Sequence, residues 1–186
     1  MQLTELTVGM IATRCYILSE EGRDDCLVID PGGEPDRIRG AAGGRKIAAI
    51  LLTHGHFDHI AAAGRLMEEG TRLMIHALDA PMLTDPALNA SLSLLNRPLA
   101  APAATDLLRD GQVLEIAGLE VRVIHTPGHT PGGACYLIGG HLFTGDTLFE
   151  HGWGRTDLPG GDEHALFASL RRILPLAKQY PTHPGH

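Results

Sequence analysis

Seven consecutive residues, Thr53-His54-Gly55-His56-Phe57-Asp58-His59, constrain this chain more than any other stretch. Four side chains able to ligate a metal, His54, His56, Asp58 and His59, fall within six positions. They follow directly on Ile47-Ala48-Ala49-Ile50-Leu51-Leu52, an apolar run of buried-strand length. In extended backbone, positions 54, 56 and 58 project to one side, because the strand period is two. His54 and His56 can therefore grip one ion from one side. Asp58 ends that row, and His59 can turn with it toward a second ion. A polar loop capping a strand, with Asp58 as the N-cap of the next helix, would account for one histidine but not for three. Dense clusters of histidine and aspartate are the chemistry of metal sites.

The rest of the composition narrows the class. A chain of 186 residues can bury a proper core as one domain, and we read 1–186 as a single unit whose natural C-terminus extends past His186. No apolar stretch approaches the ~18 residues of a membrane span. The N-terminus has neither a basic n-region nor a long apolar h-region. The net charge of −7 argues against nucleic acid as a partner, which would call for a basic face. Cys15, Cys26 and Cys135 lie in strand-like runs and read as buried, reduced thiols of a cytoplasmic protein rather than a disulfide framework. The 11 histidines are more than an ordinary core needs.

In chain order, 15–18 and 26–29 read as two strands of a hairpin, followed by a turn at Asp30-Pro31-Gly32-Gly33. Asp30 reads equally as a turn residue or as a support behind the metal loop. Residues 35–39 read as a short helix, 60–69 as a longer one, and 72–76 as a strand ending in a structural His76. Four prolines between 79 and 105 interrupt any long helix. Leu88, Leu92, Leu94 and Leu95 there suggest a short apolar helix, packing into the core or forming a lid. Residues 112–116 and 119–124 form a hairpin around Gly118. His129 sits in the rigid loop His125-Thr126-Pro127-Gly128-His129-Thr130-Pro131-Gly132-Gly133. Strands 134–138 and 141–143 follow, ending at Thr144-Gly145-Asp146. Alone, Asp146 would read as a turn residue; beside the other ligands it reads as one of them. Asp162 is placed to N-cap a last helix over 163–174.

These residues resemble the metallo-β-lactamase superfamily. The run from His54 to His59 matches its H-x-H-x-D-H motif in full, and His129, Asp146 and His186 match its remaining ligands in order. The resemblance runs from Cys15 to the last residue. It implies an α+β, αββα four-layer sandwich with the site at one edge of two central sheets. It implies one ion on His54, His56 and His129, a second on Asp58, His59 and His186, and Asp146 between them. His183 is the rival for the last ligand position. Asp58 and Asp146 are then the catalytic carboxylates, Asp58 as a ligand rather than a base. The implied cofactor is a pair of divalent cations, zinc first, with iron or manganese also suited to this donor set.

Within the superfamily, β-lactamases resemble the chain less than the compact glyoxalase II-like group does. That group shares Asp146-Thr147-Leu148-Phe149 and the run from Gly154 to Asp162. It implies hydrolysis of a small-molecule glutathione thioester such as S-D-lactoylglutathione, with Arg155 near the place of a glutathione-binding lysine. The C-terminal helical domain and the aromatics after that lysine are absent here. The Gly154-Arg155-Thr156-Asp157 run also resembles one-iron persulfide dioxygenases, the second expectation. A lactonase and a non-catalytic metal-binding module are the others.

Overall fold

A computed structural model describes residues 1–186. Two sheets face each other. The first has six strands in sequence order: β1 (Gln2–Val8), β2 (Thr13–Ser19), β3 (Asp25–Ile29), β4 (Lys46–Leu51), β5 (Arg72–His76) and β6 (Asp106–Leu108). β1 to β3 pair antiparallel and β3 to β6 parallel. The second sheet comprises β7 (Val113–Ile116), β8 (Leu119–His125), β9 (Ala134–Ile138), β10 (His141–Gly145) and β11 (Thr182–Pro184), with β11 parallel to β10 at its edge.

The strand alternation assigns each side chain to a layer. Tyr16, Leu18, Leu27, Ile29 and Met74 of the first sheet meet Val121, Val123, Tyr136, Ile138 and Phe143 of the second in one buried cluster. The opposite faces of the same strands, through Cys15, Ile17, Cys26 and Val28, pack under helices α1 (Pro35–Ala41), α2 (Phe57–Ile60) and α3 (Ala63–Leu66). Cys135 and Leu142 on the outer face of the second sheet meet Ile173 of α5 (Glu163–Ala177). Helix, sheet, sheet, helix is thus the layer order, as the resemblance implied. All three cysteines are buried and free. No helix is long and apolar enough to cross a membrane.

Three expectations need correction. The helix over 60–69 is instead two single turns. The Ala62 amide donates to Pro31 O (2.9 Å), not to the carbonyl four residues back. That carbonyl, Asp58 O, is covered by Gly32, where any Cβ would overlap it. The first strand, β1, was not read, because its residues are mostly exposed and carry no long apolar run. The leucines after Pro86 do not fill the core: Leu88, Leu92 and Leu94 around α4 (Ser91–Leu95) are exposed. The last helix starts as expected, with Asp162 Oδ1 accepting from the Ala165 amide at 3.0 Å.

Candidate metal centre

All seven expected ligands converge at one edge of the sandwich, each delivered by a strand end. β4 stops at Leu51, and Thr53 is then anchored twice by Asp30. Its amide donates to Oδ1 (2.8 Å) and its hydroxyl to Oδ2 (2.6 Å). Having given its only proton to Asp30, Thr53 Oγ1 can only accept from His54 Nδ1, 3.1 Å away. That fixes the His54 tautomer and leaves Nε2 as a lone pair. His129 is set the same way, with Nδ1 donating to the backbone oxygen of Arg155 (2.7 Å). His186 Nδ1 donates to Ile11 O (3.2 Å).

The free nitrogens and carboxylate oxygens then meet. His54, His56 and His129 form one trio, Asp58, His59 and His186 another, and His54, His59 and Asp146 a third between them. His56 Nδ1 lies 2.9 Å from His129 Nε2. Asp58 Oδ2 lies 3.2 Å from both His59 Nε2 and His186 Nε2, and accepts from Thr13 Oγ1 at 3.1 Å. Asp146 touches both sides, with Oδ1 3.4 Å from His59 Nε2 and Oδ2 3.5 Å from His129 Nε2 and 3.6 Å from His186 Nε2.

This donor set fits divalent cations. His54 Nε2, His59 Nε2 and Asp146 Oδ1 are buried with no hydrogen-bond partner. Each such atom costs ~1–3 kcal/mol if left unmatched, and three converging on one point call for a cation. The electrostatics agree. Burial, then the neighbouring imidazoles, push His54 well below its ordinary value and His56 down to about 3, so both rings are neutral donors at pH 7. Burial alone would raise Asp58, but His59 and His186 outweigh it and hold the carboxyl well below its usual range. Asp146 is likewise held low, against burial, chiefly by His59. Conversely, Asp58, Asp30 and Asp146 hold His59 well above its ordinary value, against burial. Behind it, Asp30 Oδ2 stands 3.0 Å from His59 Nδ1, off the line of a hydrogen bond. Asp30 therefore supports the metal loop, the second of its two readings.

The C-terminal ligand needs two supports. The Gly185 amide donates to Gly145 O (2.9 Å), continuing the β10–β11 pairing, and Gly185 O accepts from the Arg14 amide (2.7 Å). A Cβ on Gly185 would overlap Asp146 Oδ1 and come within 2.8 Å of His59 Cε1, so only glycine lets His186 reach the cluster. His183 is not part of it. Its ring stacks on Phe143 and its Nε2 lies 2.8 Å from His141 Nδ1, on the flank of the second sheet. His76 stacks on His125 and is structural, as expected. The Arg155 side chain is held by Asp157 in a two-bonded pair (2.6 Å each), so its contact with the cluster is its backbone carbonyl on His129.

One residue was missed. Asp79 is fully buried and joins the two histidine loops. Its Oδ2 accepts from the Gly55 amide (3.1 Å) and Thr130 Oγ1 (2.7 Å), and its Oδ1 from the Gly132 amide (2.5 Å). The sequence signal is slight: an aspartate three residues beyond the end of β5, in a segment with no legible periodicity.

Known proteins share this frame. The chain is 31% identical over its whole length to hydroxyacylglutathione hydrolase GloC of Haemophilus influenzae, covering 91% of that protein. Among solved structures, the BLEG-1 B3 metallo-β-lactamase superposes with a TM-score of 0.92 at 36% identity, over 100% of this chain and 91% of that one. TTHA1623 in a di-iron-bound form gives 0.81 at 37% identity (98% and 91% covered). ETHE1 from Myxococcus xanthus gives 0.81 at 28% identity (100% and 76% covered). The likeness to a protein named a β-lactamase is greater than the sequence motifs led us to expect. With the metallo-β-lactamase superfamily model matching residues 9–180, the fold, the ligand cluster and the relatives agree: the chain belongs to the metallo-β-lactamase superfamily.

Proposed function

We propose that this protein is a cytoplasmic metallo-hydrolase that cleaves a small-molecule thioester of the glutathione type, S-D-lactoylglutathione being the test case. The observation that carries the reading is Asp146, whose two oxygens lie within 3.4–3.6 Å of histidines from both ligand trios. In this reading His54, His56 and His129 would hold one ion and Asp58, His59 and His186 a second, with Asp146 shared by the two sets. Two divalent cations, zinc by preference, would supply a Lewis acid for the carbonyl and lower the pKa of water toward ~7.

The chain's own residues do the rest. The Thr53 and Arg155 contacts hold His54 and His129 with their protons on Nδ1, so Nε2 of each stays a ligand throughout turnover. Asp58 and Asp146 stay ionised, so neither supplies a proton to a leaving group. A thiolate leaving group needs none, whereas an amine does. That favours a thioester over an amide as substrate. The likeness to GloC supports the same class. Hydrolysis of S-D-lactoylglutathione, measured before and after verified metal removal, tests the reading. Activity should vanish with the metal and return on its restoration; undiminished activity in the stripped protein refutes it.

A further inference from the structure

Beside the metal centre a cavity of about 240 Å³ opens between the turn that joins β1 to β2 and the segment after α4. Asp58, one of the cluster's carboxylates, is part of its lining, so the cavity adjoins the ligand cluster. Its other walls are apolar: Met10, Phe57, Ala61, Leu95 and Leu99. The lining carries one cation, Arg97. Arg97 is exposed and has no carboxylate within ion-pair distance and no hydrogen-bond partner. In a chain of net charge −7, with Arg155 already engaged by Asp157, an unpaired guanidinium on the rim of an apolar cavity stands out.

Arg97 is on a fixed support. Buried Asn89 donates through Nδ2 to Met82 O (3.0 Å) and Leu99 O (2.9 Å), and its Oδ1 accepts from the Ser91 amide (3.0 Å). The backbone oxygen of Asn89 accepts from the Phe57 amide (3.0 Å), which ties the segment carrying Arg97 to the ligand loop itself. The segment lining the cavity is therefore tied by hydrogen bonds to the loop that carries the ligands.

We propose that this cavity receives the part of the substrate remote from the scissile bond, that this part is a short apolar segment ending in a carboxylate, and that Arg97 selects the carboxylate. The size limits the segment. The volume is below the ~300–1,000 Å³ of drug-sized pockets, which suits a few carbons rather than a long lipid tail. The apolar walls would leave the amides of a glutathione chain without partners, so a glutathione carrier would lie outside this cavity and the apolar acid inside it. The planar guanidinium fits a carboxylate through two parallel N–H donors, where a lysine would offer a point charge. The carboxylate can belong to the acyl group or to the thiol carrier. The proposal rests on the thioesterase reading of the neighbouring centre, and one arm of the test is independent of it.

Two pairs of thioesters separate the sources. The first pair is the N-acetylcysteamine monothioester of adipic acid and its methyl ester. The second is the acetyl thioester of 6-mercaptohexanoate and of its methyl ester. With the metal-loaded protein, KM for the free acid should be about 10- to 100-fold below that for the ester in at least one pair, the scale of a charge-assisted hydrogen bond. The pair that shows it identifies the side that carries the carboxylate. Arg97→Ala should bring the acid-to-ester ratio to about one, and Arg97→Glu should invert it; circular dichroism checks that both fold. Calorimetry with the matching non-hydrolysable thioethers reads the same ratio without turnover. Arg97-dependent binding of the thioether acids with no thioester cleaved would refute the thioesterase and leave this site standing. Equal binding of acid and ester by the unaltered protein in both pairs, or equal weakening of both by Arg97→Ala, overturns the proposal.

Discussion

Asp79 gives the sharpest test of how the centre is held. Its carboxylate takes three donors from two loops: the Gly55 amide and Thr130 hydroxyl on Oδ2, and the Gly132 amide on Oδ1. Asp79→Asn keeps the shape but turns one oxygen into an NH₂ group. Placed at Oδ1, that group faces the Gly132 N–H. Placed at Oδ2, it faces the Gly55 N–H, while Thr130 can rotate its hydroxyl to accept. The second arrangement is the cheaper and leaves one buried amide unmatched, at ~1–3 kcal/mol. Burial raises the Asp79 carboxyl above its ordinary value, so the native state holds this charge at a cost, which the neutral amide relieves. The net loss should be about 1–2 kcal/mol for Asn, and ~3 kcal/mol or more for Ala, which strands all three donors and leaves a cavity. At roughly 2–4 °C per kcal/mol for a chain of this size, Asp79→Asn should lower Tm by about 2–8 °C. It should also weaken metal binding by about 10–100-fold, since the loops of His54, His56 and His129 lose their common anchor. Thermal melts of the metal-free protein and competition against a chromogenic chelator read the two effects separately. A metal-free Tm within a degree of the unaltered protein, with unchanged metal affinity, would refute the anchoring role.

The ligand roles and the reaction class can be checked together. Asp146→Ala should reduce thioester hydrolysis by at least ~10³-fold, the scale of a lost transition-state electrostatic contact. His183→Ala, which touches Phe143 and His141 instead of the cluster, should stay within a few-fold; similar losses in both would overturn the ligand assignment. Metal analysis should give more than one ion per chain at full occupancy, with no oxygen uptake on glutathione persulfide. One iron with rapid oxygen consumption would instead establish the dioxygenase reading.

Much of the fold was legible because its signals are local. Each strand from 15–18 to 141–143, β6 apart, carries its own apolar run or alternation, and the loops between them carry glycine and proline where the chain must turn. What failed was decided by distant contacts. The 60–69 segment has good helix formers, yet Gly32 packs on Asp58 O and Pro31 O takes the Ala62 amide, and those contacts end the first turn. β1 is recognisable only through its antiparallel partner β2, since Gln2 to Thr7 are exposed or half-buried. The short β6 and β11 are defined by their parallel neighbours, not by their own residues.

The site divides along the same line. Histidines and aspartates announce themselves by residue type, so the run from His54 to His59 stood out on its own, and the family resemblance completed the set with His129, Asp146 and His186. The residues that hold and aim them did not stand out. Asp79 reads as an ordinary loop aspartate until β5 places it between two glycine-rich loops. Arg97 reads as one of several surface arginines until Asn89 fixes its segment beside Phe57. Arg155, singled out for its charge, also serves through its backbone carbonyl on His129, while its side chain pairs with Asp157. This asymmetry bears on the substrate. Likeness to this chain extends to proteins named hydroxyacylglutathione hydrolase, β-lactamase and ETHE1 alike. Selection among their substrates must come from the walls, and here those walls are Met10, Phe57 and Leu95 with Arg97 at the rim. Motifs around the ligands therefore argue for the reaction, and the cavity beside Asp58 argues for what undergoes it.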